Sequence, residues 1–243
     1  MRINRFLAQC GFGSRRNVEQ LIEKERVTVD GVLCVDKATK IEVGVNIVTV
    51  DGVKAELQDN QDETWIFNKP PGYLCTREDP KNRKSIYALL GHLPPPYQAV
   101  GRLDRNSRGL LIITKNGALS NILMHPRYEI KKQYKVRAFG KWDPSFVQKL
   151  ADGVEMCEGG VGRMKVINCL RTSEKDIELL LELKEGKKRE IRYSLAALNL
   201  KVIDLLRIQI DFLNLDGLKE GKSRALNSDE LIKMNDLFNR FKK

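Results

Sequence analysis

Apolar residues recur at helical spacing in two short segments at the start of the chain. The first segment carries Ile3, Phe6 and Leu7 on one face, and Gly11 is expected to end it. Ser14 has a side chain that suits a helix N-cap, so a second helix is predicted to begin directly after it. The apolar positions of that helix are Val18, Leu21 and Ile22. The pattern therefore predicts two consecutive amphipathic helices.

After these helices the apolar residues alternate with polar ones, as in strands. One alternating segment ends at the pair Asp30-Gly31, and a second ends at Asp51-Gly52. Asp-Gly pairs favour the tight turns that join antiparallel strands. Residues 1–60 are therefore predicted to form one small helix-helix-strand domain.

From residue 61 onward strands and helices are mixed without a regular β-α-β repeat, which favours antiparallel pairing. We predict for residues 61–243 an α+β fold with a mixed, largely antiparallel sheet flanked by helices. The predicted strands are Trp65–Phe67, Leu110–Thr114, Tyr134–Phe139, Ile177–Leu183 and Val202–Ile210; the predicted helices follow Asn116-Gly117, run from Pro144 to Ala151, cover 191–200 and start at Ser228. A polar linker is expected at about Glu56 to Glu63, and a rigid loop at Pro94 to Pro96.

The net charge indicates what this fold binds. The 243 residues carry a formal charge of +11, with a pI near 9.4. Residues 1–60 hold nine basic and nine acidic side chains, so the whole excess falls in residues 61–243. Nucleic acid is favoured over a membrane as the anionic partner, because no basic amphipathic helix or lipidation motif accompanies the charge.

Cysteine and histidine usage argues against several kinds of site. The five cysteines are widely spaced and include no C-x-x-C pair, which predicts reduced residues in a cytoplasmic protein. The two histidines, His92 and His125, lack a partner at metal-ligand spacing, so a zinc site or a histidine-based triad is not expected. No apolar run has the length of a membrane span. We therefore expect a cytoplasmic protein with no cofactor and, since nothing indicates oligomerisation, a monomer.

The most distinctive chemical feature is one carboxylate among three arginines. It is Asp104, in a stretch with Arg102, Arg105 and Arg108 that directly precedes an apolar run. Guanidinium groups match phosphate geometry, so this stretch suits a polyanion held next to an ionised carboxylate that can act as a nucleophile. A surface turn in which Asp104 only pairs with its neighbours is the alternative, and the stretch alone leaves both open.

Two further basic clusters follow, with tyrosines among them. The clusters are Arg127/Lys131/Lys132/Lys135/Arg137 and Lys187/Lys188/Arg189/Arg192, and the tyrosines are Tyr128, Tyr134 and Tyr193. Each cluster alone is typical of a solvated face. Cations that contact phosphates, beside rings that stack on bases, are suited to single-stranded or locally opened RNA.

The start of the second helix also breaks a local preference. Arg15 and Arg16 fall in its first turn, where the helix dipole favours acidic residues. Either these are solvated surface residues or they contact phosphates.

Residues 1–60 contain three matching segments, Arg2 to Ala8, Ser14-Arg15-Arg16 and Val27 to Gly31. In combination these segments resemble the small RNA-binding domain named after ribosomal small-subunit protein four. That resemblance implies RNA contacts by Arg15 and Arg16, and also by Arg5 and Lys24.

The larger part carries four ordered motifs: Lys69-Pro70-Pro71-Gly72, Gly101 to Leu111, Lys132 to Val136 and Glu185 to Arg192. Together they resemble the pseudouridine synthases that modify ribosomal RNA, in the branch that contains the small-subunit uridine enzyme and its large-subunit relatives. With the N-terminal domain, the resemblance covers nearly the whole chain. It implies isomerisation of uridine to pseudouridine in ribosomal RNA, with large-subunit RNA favoured over small-subunit RNA and with no cofactor.

The resemblance also implies roles for single residues. Asp104 falls on the catalytic carboxylate, Tyr134 on the ring that packs against a flipped-out uridine, and Arg192 on the basic partner of Asp104. Leu205 falls on an apolar residue that shapes the pocket. Substrate contacts are expected for Arg102, Arg105, Arg108, Lys132, Lys187 and Arg189. The chain departs from the family pattern at Ser107, where Thr is frequent, at Glu190, where Gln is usual, and at Tyr193, where a second basic residue is common.

A non-catalytic RNA-binding or ribosome-assembly protein is the alternative from another functional class, since the N-terminal domain alone would suit it. That alternative does not require Asp104, Tyr134 and Arg192 to converge. An RNA methyltransferase is disfavoured because no strand precedes a G-x-G-x-x-G turn. Nucleotide hydrolysis is not expected, because Asp216 stands where a P-loop needs its first glycine. The target uridine, and the choice between a ribose adduct and a glycal intermediate, stay open.

Overall fold

The computed structural model describes residues 1–57, 64–94, 96–171 and 173–241, with the side chain of Arg171 left out. Most of the expected linker, Glu56 to Glu63, and the middle proline of the expected rigid loop lie outside the described residues. Contacts divide the chain into two compact units, Met1–Glu63 with His92–Gln98 and Thr64–Gly91 with Ala99–Lys243. The predicted domain limits, 1–60 and 61–243, stay a prediction.

The smaller unit contains two helices and an antiparallel sheet of four short strands in the order β2-β1-β3-β4. Its elements are α1 (Ile3–Gln9), α2 (Arg15–Glu23), β1 (Val27–Val29), β2 (Val32–Leu33), β3 (Val48–Val50) and β4 (Val53–Lys54). The Ser14 hydroxyl accepts the Asn17 N–H at 3.2 Å, which starts α2 as predicted. The apolar faces of both helices pack with the sheet in one core.

Both Asp-Gly pairs form the predicted tight turns of this sheet. The φ angles are 51° and 80° at Asp30-Gly31, and 51° and 79° at Asp51-Gly52. Asp and Gly adopt these positive angles at low cost, and such turns match the twist of paired strands. The local sequence therefore determines where β1 turns into β2 and where β3 turns into β4.

The larger unit is an α+β structure, as predicted. Its elements are β5 (Trp65–Lys69), β6 (Gln98–Val100), β7 (Arg108–Thr114), α3 (Gly117–Met124), β8 (Lys132–Phe139), α4 (Phe146–Asp152), β9 (Val154–Glu155), β10 (Val161–Gly162), β11 (Lys165–Arg171), β12 (Asp176–Leu183), α5 (Glu190–Ala197), β13 (Lys201–Ile210), β14 (Leu213–Asn214), β15 (Ser223–Ala225) and α6 (Ser228–Phe241). Two short 3-10 helices, Ile86–Ala88 and Pro126–Tyr128, interrupt the loops.

A single nine-stranded sheet organises this unit. Its order is β11-β12-β8-β13-β7-β5-β15, with β14 added to β13 and β6 added to β7. The pairing of β13 with β7 is parallel, whereas β11 with β12, β12 with β8, β8 with β13, β7 with β5 and β5 with β15 are antiparallel. The prediction of a mixed, largely antiparallel sheet is confirmed.

Two capped helices cover part of this sheet. The Asn116 side chain accepts the N–H groups of Ala118 and Leu119, both at 3.0 Å, and so begins α3. Asn227 and Glu230 cap α6 reciprocally, each side chain accepting the backbone N–H of the other. Apolar residues of both helices form one core with strands β5, β7 and β13: Ile66, Leu110, Ile112, Leu119, Leu123, Ile210, Met234 and Leu237.

A close approach between two central strands sets the register of the sheet. Gly109 on β7 lies opposite Arg207 on β13, which lies opposite Tyr134 on β8. A Cβ placed on Gly109 would lie 2.2 Å from the Arg207 carbonyl oxygen and 2.8 Å from its backbone nitrogen. The φ of Gly109 is also +108°, so only glycine fits this position without strain.

Gly109→Ala is expected to destabilise the protein by about 3 kcal/mol or more, because the new methyl group would collide with the backbone of β13. Gly117→Ala is the matched control, since Gly117 begins α3 and a Cβ there meets nothing within 4 Å. The control should shift stability by less than about 1 kcal/mol. Urea unfolding followed by circular dichroism measures both. Similar stabilities for the two variants would contradict this account of the register.

Candidate active site

The loop that carries Asp104 runs from Gly101 to Ser107, between β6 and β7. The Ser107 N–H donates to the Asp104 carbonyl at 3.0 Å, and the Gly72 N–H donates to the Arg105 carbonyl at 2.7 Å. A φ of +71° at Gly101 turns the chain into the loop. The backbone on either side of the carboxylate is therefore fixed by hydrogen bonds.

A buried lysine at the end of β5 binds the same loop. The side chain of Lys69 is completely buried, and its Nζ donates to the carbonyl oxygens of Pro70 at 3.0 Å, Arg105 at 3.1 Å and Ser107 at 2.7 Å. These bonds occupy the three donors of an ammonium group. Burial lowers the pKa of Lys69 to about 8, so the group is still largely protonated at neutral pH. The resemblance named the motif that contains Lys69 but assigned this residue no role.

Arg192 of α5 reaches the loop and faces the carboxylate. Its Nε lies 3.9 Å from Oδ2 of Asp104, and its Nη2 donates to the Ser107 hydroxyl at 3.3 Å. The Arg192 side chain is 16% exposed and that of Asp104 is 38% exposed. Burial lowers the pKa of Arg192 while the charge of Asp104 opposes that shift. The structure thus brings together an accessible carboxylate and a largely buried cation that are 88 residues apart in sequence.

Leu205 lies on β13, which pairs with β7, and Tyr134 lies on β8, the next strand beyond β13. Tyr134 is 7% exposed and sits opposite Arg207, so its backbone is two strands, roughly 10 Å, from Gly109. Leu205 is 5% exposed and precedes Arg207 by two residues on the same strand, so it shares the face of Tyr134. The helix that bears Arg192 packs against β13 as well.

The arginines of the loop differ in their surroundings. Arg102 and Arg105 are exposed and line a cavity of about 380 Å³, and neither has a carboxylate partner among the described residues. Arg108 instead contacts Asp204, with Nη2 to Oδ2 at 2.6 Å, and Glu220, with Nη1 to Oε1 at 2.7 Å. These carboxylates raise the pKa of Arg108. Its charge is therefore compensated within the protein, whereas those of Arg102 and Arg105 are available to a ligand.

The segment before α5 is held by a buried carboxylate. Glu190 is 3% exposed and accepts the backbone N–H of Lys187 at 2.9 Å and of Arg163 at 3.3 Å. Burial raises the pKa of Glu190. Lys187 also donates its Nζ to the Val161 carbonyl at 2.6 Å, and the guanidinium of Arg189 lies 5.2 Å from the centre of the Tyr193 ring. Glu190, which stands where the family pattern usually has Gln, thus connects this segment to the end of β10 and positions the start of α5.

Lys132 occupies the start of β8, two residues before Tyr134. Its Nζ donates to the Ile130 carbonyl at 3.0 Å. Burial, and then the charge of Arg207, lower the pKa of Lys132 to about 8. Arg207 was not among the residues predicted for the site, because its position between two apolar residues of a strand gives no local sign of a function.

The four predicted RNA contacts of the smaller unit are all exposed. Arg5 lies on α1, Arg15 and Arg16 form the first turn of α2, and Lys24 follows that helix. Within the described part of the chain, none of them pairs with a carboxylate. Their charges are therefore open to phosphate groups.

The described residues include no cluster of three or more His, Cys, Asp or Glu side chains able to hold a metal ion. They also include no helix long and apolar enough to cross a membrane.

Two models of known families match the chain. One, described as RNA pseudouridylate synthase, matches residues 63–197, and the other, the S4 domain, matches residues 1–47. A solved structure described as a pseudouridylate synthase has a TM-score of 0.65 to this chain, covers 96% of it with 99% of its own length, and is 22% identical. At that identity the likeness shows the fold.

Relatives resemble the chain over nearly its full length. An RNA pseudouridine synthase of Aquifex aeolicus is 37% identical over 96% of this chain and 93% of its own. A protein of Bacillus subtilis named ribosomal large subunit pseudouridine synthase B is 31% identical over 97% of this chain and 96% of its own. One named the same from Yersinia pestis is 34% identical over 90% of this chain and 70% of its own.

Lys69→Met is expected to change how stability depends on pH. The pKa of Lys69 is about 8 in the folded protein and 10.5 ordinarily, so between these values the unfolded chain binds the extra proton. The free energy of unfolding of the unmodified protein should therefore rise relative to the variant across this range, by up to about 1.4 kcal/mol per pH unit. Urea titrations from pH 7 to 10 measure the difference, with exposed Lys233→Met as control. Parallel curves for the protein and Lys69→Met would refute the assignment.

Proposed function

The chain belongs to the RNA pseudouridylate synthase family, and on that premise we propose that it isomerises uridine to pseudouridine in ribosomal RNA, with Asp104 as the catalytic carboxylate. The observation that carries the residue assignment is the 3.9 Å approach of Arg192 to Asp104 on a loop fixed by a buried lysine. A binding protein without catalysis has no need for an accessible carboxylate held in this way.

The reaction needs a carboxylate and no change of oxidation state. The bond from C1′ of the ribose to N1 of the uracil breaks, the ring turns, and C5 forms a new bond to C1′ while its proton leaves. Asp104 acts at the ribose, either by forming an ester to C1′ or by removing a proton on the route through a glycal. The positive charge of Arg192, 3.9 Å from Asp104, complements the negative charge of the carboxylate.

The target uridine must leave its base stack before Asp104 reaches the ribose. Extrusion of a base costs a few kcal/mol, about the free energy that aromatic stacking can return. Tyr134 supplies the ring, and Leu205 on the neighbouring strand supplies an apolar surface on the same face. In this proposal the two residues hold the uracil while its bond to the ribose is exchanged.

In this proposal each unit contributes cations that contact the RNA. Arg102 and Arg105 beside the catalytic carboxylate contact the backbone near the target, with Lys132, Lys187 and Arg189 farther along the sheet and α5. Arg108 contributes less, because Asp204 and Glu220 compensate its charge. In the smaller unit the contacts are made by Arg5, Arg15, Arg16 and Lys24.

We extend to this chain the substrate named for the Bacillus subtilis and Yersinia pestis relatives, large-subunit ribosomal RNA. The protein acts in the cytoplasm and as a monomer in this proposal. The test is tritium release from C5 of labelled uridine in transcripts of large- and small-subunit RNA, followed by mapping of pseudouridine. Release from the large-subunit transcript alone supports the proposal. Release from the small-subunit transcript alone would show that the substrate is small-subunit RNA. No release by folded protein would favour the binding-protein alternative.

Asp104→Asn is expected to abolish turnover, by a factor of about 10⁴ or more, because the amide neither attacks the ribose nor accepts its proton. RNA affinity should change by less than about threefold, since phosphate contacts supply most of the binding energy. Asp211→Asn is the matched control, because Asp211 has a φ of 50° in a turn that Asn also adopts. Tritium release and filter binding measure the two quantities. Near-normal turnover by Asp104→Asn would exclude Asp104.

Arg15→Gln combined with Arg16→Gln is expected to weaken RNA binding and leave the rate at saturating RNA unchanged. Each lost phosphate contact should reduce the slope of log K against log salt by about 1. Lys37→Gln in the same unit is the control, because Lys37 already pairs with Glu23. Filter binding over a range of salt concentrations measures the slopes. An unchanged slope of log K against log salt for the double variant would show that Arg15 and Arg16 of α2 do not contact phosphates.

A further inference from the structure

One buried cation, Arg207, and one half-buried cation, Lys132, share the sheet face of Tyr134. Arg207 lies directly opposite Tyr134 on the neighbouring strand, so both side chains leave the sheet on the same side. Lys132 precedes Tyr134 by two residues on β8, and strand alternation gives it the same face. Arg207 is 4% exposed. Burial lowers the pKa of Lys132 and the charge of Arg207 lowers it further, so the two cations are close enough to repel.

The hydrogen bonding of Arg207 is incomplete. Its Nε donates to the Leu110 carbonyl at 2.7 Å, but its Nη2 is buried and has no hydrogen-bond partner among the described residues. A buried charged donor without an acceptor is costly, so its retention calls for an explanation. The acidic neighbour of Lys132 is Glu190, whose two oxygens already accept backbone N–H groups. The region therefore holds excess positive charge and a spare donor.

The reaction proposed above produces a negative charge that matches this excess. When the C1′–N1 bond breaks, both electrons stay on N1, and the uracil becomes an anion whose charge spreads to O2 and O4. C1′ takes up the electron deficit, which the Asp104 carboxylate or the loss of a ribose proton relieves. The detached ring must be held until C5 bonds to C1′ and the C5 proton leaves. Donors fixed in a dry site stabilise such a charge far better than water does.

We propose that Arg207, with Lys132 beside it, stabilises the negative charge that develops on the uracil ring when its bond to the ribose breaks. This role rests on the proposed function and adds to it, because Arg192 is directed at Asp104 and Ser107 and Tyr134 carries no charge. The hydrogen bond from Arg207 to the Leu110 carbonyl also links β13 to β7 and helps to position the start of β7.

The test compares two substrates that differ in leaving-group stability. RNA that carries 5-fluorouridine at the target loses a more stable uracil anion, because fluorine withdraws electron density. Arg207→Gln is expected to slow single-turnover conversion of uridine by about 100-fold. The loss should be several-fold smaller with 5-fluorouridine, whereas a purely structural defect slows both substrates equally. Nucleoside chromatography measures the loss of uridine and of 5-fluorouridine, because the fluorinated ring has no C5 proton to release once C5 bonds to C1′. Filter binding should show unchanged RNA affinity.

Conservative and control variants complete the design. Arg207→Lys keeps the charge and should fall between the protein and Arg207→Gln. Lys132→Gln should show the same substrate dependence, and it carries the test if Arg207→Gln does not fold. Lys201→Gln on β13 and Arg240→Gln on α6 remove exposed cations and should leave both rates unchanged.

Equal losses on the two substrates, or no loss on either, would overturn the role of Arg207. Failure of the unmodified protein to convert uridine would instead refute the proposed function.

Discussion

The ammonium group of Lys69 binds three backbone carbonyls, and the geometry around Asp104 depends on this contact. It joins the end of β5 to the carbonyls of Arg105 and Ser107, so the backbone that follows Asp104 in sequence is fixed. Ser107 in turn accepts a hydrogen bond from Arg192, which brings that cation to 3.9 Å from the carboxylate. A carboxylate that must meet one ribose atom needs such a fixed loop, because small misplacements of reacting groups are costly in rate.

The second constraint is the contact of Gly109 with the backbone of β13. Because a side chain does not fit there, β7 and β13 pair closely in parallel, and Arg207 falls opposite both Gly109 and Tyr134. This register places the aromatic ring two strands from the end of the Asp104 loop. The same register buries Arg207, whose incomplete hydrogen bonding suggests a part in the chemistry. The scaffold and the proposed site therefore depend on the same few central positions.

Local features were predictable from the sequence, and distant pairings were not. The Ser14 cap and both Asp-Gly turns depend on neighbouring residues, whereas the missed strand β11 forms only by pairing with β12 through a bulge. Asp204 and Glu220, which compensate Arg108, follow it by 96 and 112 residues. The proximity of Asp104 and Arg192 was expected only through resemblance to a family. The roles of Lys69 and Arg207 depend on burial by several strands, which no local pattern reports.

The position of a bound target uridine tests the proposed site most directly. A crystal structure of Asp104→Asn with an RNA fragment that the protein modifies measures this position. We expect a uridine outside its base stack, with the ring against Tyr134 and C1′ within about 3.5 Å of the side chain at position 104. A target uridine that remains stacked in the RNA, or that contacts another surface of the protein, would contradict the proposed site.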